Sequence, residues 1–573
     1  MNQIPRPEYP QPQFQRETWQ NLNGQWDFLI DAGASGLDQH FETTGTFDRQ
    51  ITVPFAPESP LSGINEKDFM QAVWYRRHIT LTEAQLQNVV RLHFGAVDYE
   101  AHVFVNGEEI GQHRGGYASF AFDIQAALVP GDNTLVICAI DHLRSGAQPS
   151  GKQSRAYQSQ GCDYTRTTGI WQTVWLEFLP IVHVQDVQFT PNRLAQSVTV
   201  AVTLAGQADL AVAVSYQGQA CGQAQLDGAH GQVSFTIPLS EVHLWEAGHG
   251  RLYDVTVSFG ADTVKSYFGL RDVRFDGLKF LLNDQSVFQR LVLDQGFYPD
   301  GIYTAPTDEA FKKDIQLSLD AGFNGARLHQ KANDPRLLYW CDKMGYLVWG
   351  EMASWGVDMA SAEGLYNFLP EWEEIVARDI NHPAIITWCP FNESWDINGR
   401  QQRKDAISIV YATTKQLDPS RPCVDVSGNF HTAQTDVYDL HDYEQDPAKF
   451  AEHFDGSKWP NGQFRDEHEG RQYYHAGWPL AVSEYGGIKW APDVAKDAAW
   501  GYGDGPETPE AFLARYKGLT EVLLNDPRIC SFCYTQLYDV EQERNGLYYY
   551  DRTPKFDVAL FKAINAQIAA IER

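Results

Sequence analysis

Cysteine is scarce in this sequence, with eight residues among 573. Several lie inside apolar runs, such as Cys138 in LVICAI and Cys389 in IITWCPF. We therefore expect buried, reduced thiols rather than a disulfide framework. Cys530 and Cys533 form a CxxC pair, but they lie within a strand-like run that has no second pair, so the spacing argues against a zinc site.

Basic residues are also few, because 45 Lys and Arg face 74 Asp and Glu and give a formal charge of −29. Nucleic acids and anionic membranes are bound through basic surfaces, so neither is expected as a partner. The sequence contains no apolar run of about 18 residues, the length needed to span a bilayer. It opens with MNQIPRPEYPQPQF, which lacks a basic segment followed by an apolar one, so we expect no signal peptide and a cytoplasmic location.

The length is enough for a multidomain protein, since a domain usually has about 100–200 residues. Residues 1–180 show short alternating apolar runs between turn signals. One run, AHVFV, is followed by Asn106-Gly107, which predicts a β-hairpin. Residues 181–272 are again strand-like, with SVTVAVTLAG and YDVTVSFG at the spacing of an immunoglobulin-like β-sandwich. Both regions are therefore predicted to be β-sandwiches.

Residues 273–573 alternate strand-like runs with amphipathic helical segments. The predicted strands are VFQRLVLDQ, GARLHQ, YLVWGEM, IITWCPFNE, CVDVSG, TDVYDLHDY, LAVSEYGG and ICSFCYTQLYD. One helix is predicted from Asp308 to Ala321, and another begins at Asp334-Pro335 and ends at Gly345. Eight strands joined in this way predict a (β/α)8 TIM barrel. A doubly wound sheet is the alternative, but no glycine-rich GxGxxG or Walker motif follows any of these strands.

Polar residues end seven of the predicted barrel strands. They are Asp294, Gln295, Arg327, His329, Glu351, Asn392, Glu393, His441, Tyr443, Glu484 and Gln536. Any one of them alone could be a helix cap or a surface group. Because the active sites of TIM barrels lie at the C-terminal ends of the strands, seven such ends predict a single catalytic site.

Two of these residues suit glycoside hydrolysis, which needs one carboxylic acid to protonate the leaving oxygen and one carboxylate at the anomeric carbon. Glu393 and Glu484 end the fourth and seventh strands and should face each other across the barrel mouth. A separation of roughly 5–5.5 Å indicates retention and a wider one indicates inversion, so the sequence leaves both open. We expect ionised Glu484 to raise the pKa of Glu393.

The sequence resembles glycoside hydrolase family 2, which contains β-galactosidases, β-glucuronidases and β-mannosidases. The likeness is carried by FNESW (391–395), SEYGG (483–487), NLNGQWDF (21–28), VDYEAHVFVNG (97–107), GGYASFAFD (115–123) and TTGIWQTVWLE (167–177). It implies an N-terminal jelly-roll β-sandwich, a retaining mechanism and substrates with terminal β-linked sugars. It also implies Glu393 as acid/base, Glu484 as nucleophile, Asn392 as donor to the sugar 2-hydroxyl and Tyr443 as the residue that orients the nucleophile.

Further substrate-binding roles follow from the same resemblance. Arg327 and His329 would shape the pocket floor, although Arg327 could instead be a structural ion pair that holds Glu484. Asp294 and His441 would bind hydroxyl groups, Gln536 stands near the sugar floor, and Trp355, Trp395 and Trp490 are candidates for stacking on sugar or for core packing. No cofactor or metal is expected, since Glu351 alone does not define a site for the Mg²⁺ that some relatives bind. The family further implies a homo-oligomer, most simply a homodimer.

The specificity is less sharply predicted than the mechanism. A retaining exo-β-glycosidase of the β-galactosidase type is the default. β-Glucuronidase, β-mannosidase and galactofuranosidase or arabinosidase activities stay open, and a catalytically inactive carbohydrate-binding protein is the alternative of another class. Glucuronidases hold the uronate with an Asn-x-Lys motif, and ERNGLYYYD has Asn545 without the lysine. Lys331 or Lys489 could reach the mouth instead.

Two inserts could narrow the barrel mouth. The polar loop at 146–169 lies between predicted sandwich strands, and long loops in compact domains are usually functional or disordered. We expect it to reach over the barrel and to restrict the enzyme to exo action. The segment around Lys458–Gly470, rich in Gly, Asp and Glu, could act in the same way, and disorder of this segment is the equal alternative.

Overall fold

The computed structural model of the chain describes residues 4–397, 399–458, 471–472, 474–475, 477–495 and 498–573. Two β-sandwich regions precede an α/β barrel, which confirms the predicted multidomain fold. Most of the segment predicted around Lys458–Gly470 lies outside the described residues.

The N-terminal sandwich contains a six-stranded and a four-stranded antiparallel sheet. The strands of the six-stranded sheet are, in spatial order, Arg49–Val53, Gly24–Asp31, Ala72–Leu81, Gly131–Ile140, Glu100–Val105 and Glu108–Arg114. Those of the four-stranded sheet are Trp19–Asn21, Val174–Leu179, Val89–Phe94 and Phe120–Asp123. A short pair, Val97–Asp98 and Gly169–Ile170, and the helix Phe41–Thr44 complete it. Asn106 and Gly107 have φ values of 53° and 85° and form the predicted hairpin turn, because both positions of a type I′ turn need positive φ.

The central region is built around two long strands. Its strands are His183–Asn192, Ser197–Tyr216, Gln219–Pro238, Tyr253–Phe259 and Asp262–Phe268. The first half of Ser197–Tyr216 pairs with His183–Asn192 and its second half with Tyr253–Phe259, with irregular register in between. Alternate side chains of this strand are buried, as the period of two predicts. A small sheet, Val273–Asp276, Lys279–Leu282 and Gln285–Ser286, then leads into the barrel and was not predicted.

The barrel has the eight predicted strands. They are Gln289–Asp294, Gly325–Leu328, Leu347–Glu351, Ile385–Cys389 with Phe391–Asn392, Val426–Ser427, Tyr438–Asp442, Leu480–Gly486 and Ile529–Thr535, numbered one to eight below. The helices around them are Asp308–Asp320, Pro335–Met344, Ala362–Asp379, Lys404–Leu417, Pro447–His453, Pro509–Asn525 and Val558–Asn565. Asp334 caps the second helix and Gly345 ends it at φ 66°, as the sequence predicts.

The strands are parallel, so their C-terminal ends all lie on one face. Seven pair in the order four, three, two, one, eight, seven, six, and strand five pairs with the end of strand four. Between strands five and six the hydroxyl of Ser427 donates to Asp439 at 2.6 Å, so a side chain links the ring there. This arrangement brings the polar strand ends around one mouth.

The eight cysteines are free, and all but the half-buried Cys162 are buried, as expected from their apolar surroundings. Cys530 and Cys533 are both buried in strand eight. Among the helices of the described residues, none is both long and apolar enough to cross a membrane.

Candidate active site

Arg327 lies at the centre of the site and has no solvent exposure. Its guanidinium donates to Glu484 Oε1 at 3.0 Å, to Glu351 Oε2 at 2.9 Å and to Asn392 Oδ1 at 2.9 Å. Burial alone would lower the pKa of Arg327, but Glu351 and Glu484 raise it. A guanidinium is stable in a barrel core only when its donors are paired in this way, so Arg327 ties three strand ends together.

Glu351 is a supporting residue of this network. It accepts from Arg327, from the backbone N–H of Gln330 at 3.0 Å, and lies 3.0 Å from His329 Nδ1. Burial raises the pKa of Glu351, but Arg327 and His329 outweigh it and hold the pKa at about 2. Both oxygens are occupied, so Glu351 anchors Arg327 and His329, a role that sequence reasoning missed.

Glu484 ends strand seven and is held on both oxygens. Arg327 donates to Oε1, and the hydroxyl of Tyr443 donates to Oε2. Tyr443 is itself fixed, because its hydroxyl lies 3.1 Å from Thr535 Oγ1 and its ring stacks on Tyr502 with the centroids 3.4 Å apart. The geometry expected for a residue that orients the nucleophile is therefore present at Tyr443.

Glu393 follows strand four in the left-handed region, with φ 43°, where a non-glycine residue is strained. Its N–H donates to the carbonyl of Ser427 at 2.9 Å, which holds this conformation. Its carboxyl is engaged at both oxygens. His441 Nδ1 lies 2.5 Å from Oε1, and the indole N–H of Trp395 donates to Oε2 at 3.0 Å.

His441 bridges the two glutamates, because its Nδ1 also lies 3.4 Å from Glu484 Oε2. Burial raises the pKa of Glu393, but the hydrogen bond and charge of His441, the charge of Lys152 and the bond from Trp395 lower it to about 2. The expected rise in the pKa of Glu393 is therefore not observed. The lowered pKa of Glu393 and the raised pKa of His441 favour the proton on the imidazole over the carboxyl.

The two glutamates are close together. One carboxylate oxygen of Glu393, one of Glu484 and a ring nitrogen of His441 all lie within 4.8 Å of one another. Such a group can in principle hold a metal ion, but its mutual bonds and those to Arg327 and Tyr443 already account for the proximity. Oxygens of the two carboxyls that approach this closely are compatible with the roughly 5–5.5 Å of retaining enzymes and are nearer than the roughly 6.5–9.5 Å of inverting ones.

Three stretches of the chain match models of one enzyme family. Residues 19–180 match the sugar binding domain of glycosyl hydrolases family 2, residues 182–271 match a second domain of glycosyl hydrolases family 2, and residues 304–489 match its TIM barrel domain. The chain belongs to glycoside hydrolase family 2. The resemblance seen in the sequence is thereby confirmed.

Curated relatives in family 2 carry different names. A β-galactosidase of Thermoanaerobacter pseudethanolicus is 28% identical over 429 residues, which cover 70% of this chain and 54% of that protein. A putative β-glucuronidase of Formosa agariphila is 25% identical over 449 residues, which cover 72% of this chain and 51% of that protein. The chain therefore spans about half the length of these two relatives.

Solved structures show the same fold over the whole length. A β-glucuronidase from Ruminococcus gnavus superimposes with a TM-score of 0.80 at 20% identity, covering 98% of this chain and 100% of that one. A β-glucuronidase from Lactobacillus rhamnosus gives a TM-score of 0.79 at 22% identity, covering 99% and 100%. At these identities the likeness shows the fold.

Several residues predicted to bind substrate have protein partners in this family 2 chain. Asp294 is buried and accepts from the hydroxyl of Tyr538 and, at 2.9 Å, from the N–H of Gly296. Gln536 donates to Asn545 Oδ1 at 2.9 Å. Asp294 is therefore anchored in the wall of the site through Oδ1. The buried Oε1 of Gln536, in contrast, makes no hydrogen bond within the described residues.

The three predicted stacking tryptophans have different surroundings. Trp355 lines a cavity of about 250 Å³ next to Glu393 and donates its indole N–H to the carbonyl of Asn392 at 2.9 Å. Trp395, 47% exposed, lines the same cavity. Trp490 instead packs against Phe512 and Phe556 in the barrel core, so for this residue the sugar-stacking alternative is wrong and the packing alternative holds.

Asn392 is oriented by two contacts. Its Oδ1 accepts from Arg327, and its backbone N–H donates to Ser354 Oγ at 3.1 Å. Within the described ranges its Nδ2 makes no hydrogen bond to the protein. This donor is therefore available to a ligand next to Glu393.

The sandwich loop predicted at 146–169 does run over the barrel mouth. The N–H groups of Ser150 and Gly151 donate to the carbonyl of Trp355 at 2.7 and 3.0 Å, and Gln542 Nε2 donates to the carbonyl of Gly161 at 2.8 Å. Lys152 thereby enters the site with 6% exposure, its ammonium 3.9 Å from the ring centroid of Trp355. The sequence drew attention to the loop but not to this lysine.

Proposed function

We propose that the chain is a retaining exo-acting β-glycosidase in which Glu393 is the acid/base and Glu484 the nucleophile. The observation that carries the proposal is the pair of carboxylate oxygens within 4.8 Å of each other at the barrel mouth. At that distance both carboxyls reach one glycosidic bond without room for an intervening water, as a covalent glycosyl-enzyme requires. Family membership and the similar proteins named above support a carbohydrate substrate.

In the first half-reaction Glu484 attacks the anomeric carbon while Glu393 protonates the leaving oxygen, so the glycosidic C–O bond breaks as the ester bond forms. Arg327 and Tyr443 hold Glu484 in position through one contact to each oxygen. Proximity and fixed orientation of this kind supply a large part of a catalytic rate. The Nδ2 of Asn392 is suited to donate to the sugar 2-hydroxyl.

The proton for this step is shared between His441 and Glu393. It rests on His441 and moves across the 2.5 Å contact to Glu393 as the leaving oxygen arrives. Esterification then removes the charge of Glu484. Glu393 accepts a proton from the incoming water, which attacks the anomeric carbon and releases the sugar with its original configuration.

Exo action is supported by the loop that covers the mouth. Ser150 and Gly151 bond to the carbonyl of Trp355, which follows strand three, and Gln542 bonds to the carbonyl of Gly161. The loop therefore closes two sides of the opening. A terminal sugar fits such a pocket, whereas an internal one needs an open cleft. A β-galactosidase-like specificity, the homodimer and the cytoplasmic location stay predictions from the sequence.

The test is a panel of p-nitrophenyl β-glycosides that covers galactoside, glucuronide, mannoside, galactofuranoside and arabinoside. The wild type, Glu484→Ala and Glu393→Ala are compared, with Glu373→Ala, an exposed acid on a barrel helix, as the control. We expect both site variants to lose at least about 10³-fold in kcat. Azide should restore Glu393→Ala with a β-glycosyl azide product and Glu484→Ala with an α-glycosyl azide product.

Two outcomes contradict the proposal. Wild-type binding of sugars without hydrolysis of any glycoside in the panel supports the inactive carbohydrate-binding alternative. Full activity of either site variant shows that the acid/base and nucleophile lie elsewhere.

A further inference from the structure

Lys152 is a buried cation that the N-terminal sandwich contributes to the barrel site. It lies in the loop between the strands Gly131–Ile140 and Gly169–Ile170 and is 6% exposed. Its ammonium stands over the ring of Trp355, whose indole N–H is bonded to the carbonyl of Asn392. The lysine is therefore next to the strand end that carries the acid/base.

The ammonium of Lys152 has no direct polar partner within the part of the chain that the structure describes: it makes no hydrogen bond there and no ion pair within 4.0 Å. Burial lowers the pKa of Lys152, but the charges of Cys162, Glu543 and Glu484 outweigh burial and raise the pKa above its ordinary value, so the ammonium stays charged. Removing an ammonium from water without a partner is strongly unfavourable. The ammonium of Lys152 is therefore available to pair with an anionic group of a bound ligand.

Asp163, Glu543 and Glu484 all act on the charge of Lys152, and the last two are already engaged elsewhere. Glu543 accepts from the hydroxyl of Tyr164 and, at 2.9 Å, from Asn545 Nδ2. Glu484 is held by Arg327 and Tyr443. Neither Glu543 nor Glu484 can turn to Lys152 without breaking these bonds.

We propose that Lys152 binds the carboxylate of a uronic acid in the sugar that is cleaved, so that β-uronosides are the preferred substrate class. The ammonium of Lys152 lies 3.9 Å from the ring centroid of Trp355, which lines the same cavity as Glu393, so the lysine borders the space where that sugar lies. A carboxylate supplies the charge-assisted hydrogen bond that the ammonium lacks. This inference rests on the proposed glycosidase function and names its substrate.

Lys331 and Lys489, the other lysines considered from the sequence, are less well supported as ligands of a sugar carboxylate. Lys331 donates to the carbonyls of Gly296 and Tyr303 at 2.6 and 2.8 Å, so two of the three ammonium protons are used within the protein. Lys489 follows strand seven and is half-buried. It serves as the competing variant in the test.

The experiment measures kcat/KM for two matched pairs of p-nitrophenyl glycosides, β-D-glucuronide with β-D-glucoside and β-D-galacturonide with β-D-galactoside. The members of each pair differ only in the carboxylate at C6. Wild type, Lys152→Met, Lys152→Arg and Lys489→Met are compared, and Arg144→Met, an exposed arginine of the same loop, is the matched control. Thermal unfolding checks that each variant is folded.

We expect the wild type to prefer a uronoside over its neutral partner. Lys152→Met should lose about 100-fold in kcat/KM on that uronoside and less than about 5-fold on the neutral sugar. Lys152→Arg should keep part of the preference, and Arg144→Met and Lys489→Met should keep all of it. This pattern supports a direct contact between Lys152 and the sugar carboxylate.

Four results overturn the inference while leaving the glycosidase in place. They are hydrolysis of neutral sugars only, an equal loss on both members of each pair in Lys152→Met, loss of the preference in Lys489→Met instead, and a preference that follows a carboxyl on the leaving group. The last is tested with 4-carboxyphenyl β-galactoside. An equal loss would mean that Lys152 acts only through the charges of Glu393 and Glu484.

If the wild type hydrolyses none of these substrates, the proposed function fails and binding decides the inference. Isothermal titration then compares D-glucuronate with D-glucose. Binding of glucuronate by the wild type that is lost in Lys152→Met supports the role of Lys152, and equal or absent binding of the two sugars contradicts it.

Discussion

His441 contacts both proposed catalytic carboxyls, with Nδ1 2.5 Å from Glu393 and 3.4 Å from Glu484. Its Nε2 lies 3.2 Å from Ser427 Oγ and 3.5 Å from the Arg327 guanidinium. The sequence assigned it to a sugar hydroxyl. The structure instead engages both ring nitrogens with protein groups, so we infer that His441 positions Glu393 and stores its proton.

This role has a consequence for the pH dependence. Burial lowers the pKa of His441, but Glu484 and Glu393 raise it above the ordinary value, and the pair with Glu393 holds one proton. Acid catalysis is lost as the pH rises through the pKa of that pair. In His441→Gln the proton must be held by Glu393 alone, so the basic limb of the kcat/KM profile should move to lower pH.

The control is His453→Gln, because His453 bonds to Asp442 of the same strand and not to either catalytic carboxyl. Its basic limb should match the wild type. A basic limb that also stays in place in His441→Gln contradicts proton storage on His441.

Tyr443 gives a second residue-scale prediction. Tyr443→Phe keeps the stack on Tyr502 but removes the hydrogen bond to the Glu484 carboxylate. A bond to a charged group contributes about 1.5–3 kcal/mol, so kcat should fall roughly 10- to 100-fold. Tyr485→Phe, which loses only a contact to Thr520 on the outer side of the same strand as Glu484, should stay within a few-fold of the wild type. Equal effects of the two variants in steady-state assays would remove the role given to Tyr443.

At the residue scale, the sequence is enough to predict a site residue when its place depends only on the strand that carries it. Glu393 and Glu484 are found because each ends an apolar run, and strand ends meet at one face. Lys152 is not found, because its place depends on contacts between segments some 200 residues apart, such as Ser150 with Trp355. Trp490 is ambiguous in the sequence because an apolar aromatic suits a core and a sugar site equally well.

At the scale of elements, the loop over the mouth depends on Gly151. Its φ is 56°, and an added Cβ would lie 2.3 Å from the carbonyl oxygen of Gln330. Gly151→Ala should displace the loop and Lys152 with it. Because a shift of about 1 Å in a positioned group can cost 10²-fold in rate, kcat/KM on the preferred glycoside should fall at least tenfold.

The matched control is Gly218→Ala in a hairpin turn of the central region. Its φ of 81° carries similar backbone strain, but an added Cβ meets nothing within 4 Å. It should lower thermal stability slightly and leave kinetics unchanged. Wild-type kinetics in Gly151→Ala would mean that the loop's contact with the mouth does not shape the site.

Elements with strong local signals are predicted well, and short ones are not. The helix Pro335–Met344 carries Asp, Pro and Gly at its ends and is confirmed. The small sheet that begins at Val273 was missed because its strands have two to four residues, too few to show a period. Strand five shrinks to Val426–Ser427, which pair with the end of strand four, and Cys423 of the predicted strand forms only an isolated bridge to Trp388 within the described residues.

At the scale of the whole molecule, buried carboxyls link stability to pH. Glu371 of a barrel helix accepts from the N–H of Tyr117 in the sandwich, and burial raises its pKa to about 8. Glu58 is likewise raised to about 8 by burial. Because unfolded glutamate titrates near about 4.3, the unfolded chain releases these protons first as the pH rises.

The free energy of unfolding contributed by these groups should therefore fall between about pH 4 and 8 and level off above. In Glu371→Gln part of this slope should disappear, as measured by denaturant unfolding at pH 5.5 and 8. Glu373→Gln, an exposed acid on the same helix, should keep the wild-type slope. A Glu371→Gln slope equal to that of the wild type would show that Glu371 is ionised throughout.

The whole-molecule charge illustrates what composition can and cannot predict. A net charge of −29 argues against polyanionic partners, yet Arg327, Lys152 and the raised pKa of His441 place positive groups at the barrel mouth. The sign of a site is set by its own buried residues. The passage from the two sandwich regions to the barrel, in contrast, follows from the change in hydrophobic period along the chain and is confirmed.

The most direct test of the central claim is the configuration of the sugar first released from a p-nitrophenyl β-glycoside that the wild type hydrolyses, followed by proton NMR before mutarotation. Two carboxyls within 4.8 Å predict that the β-anomer appears first, through an ester on Glu484. Initial release of the α-anomer would contradict the double displacement and the roles given to Glu393 and Glu484.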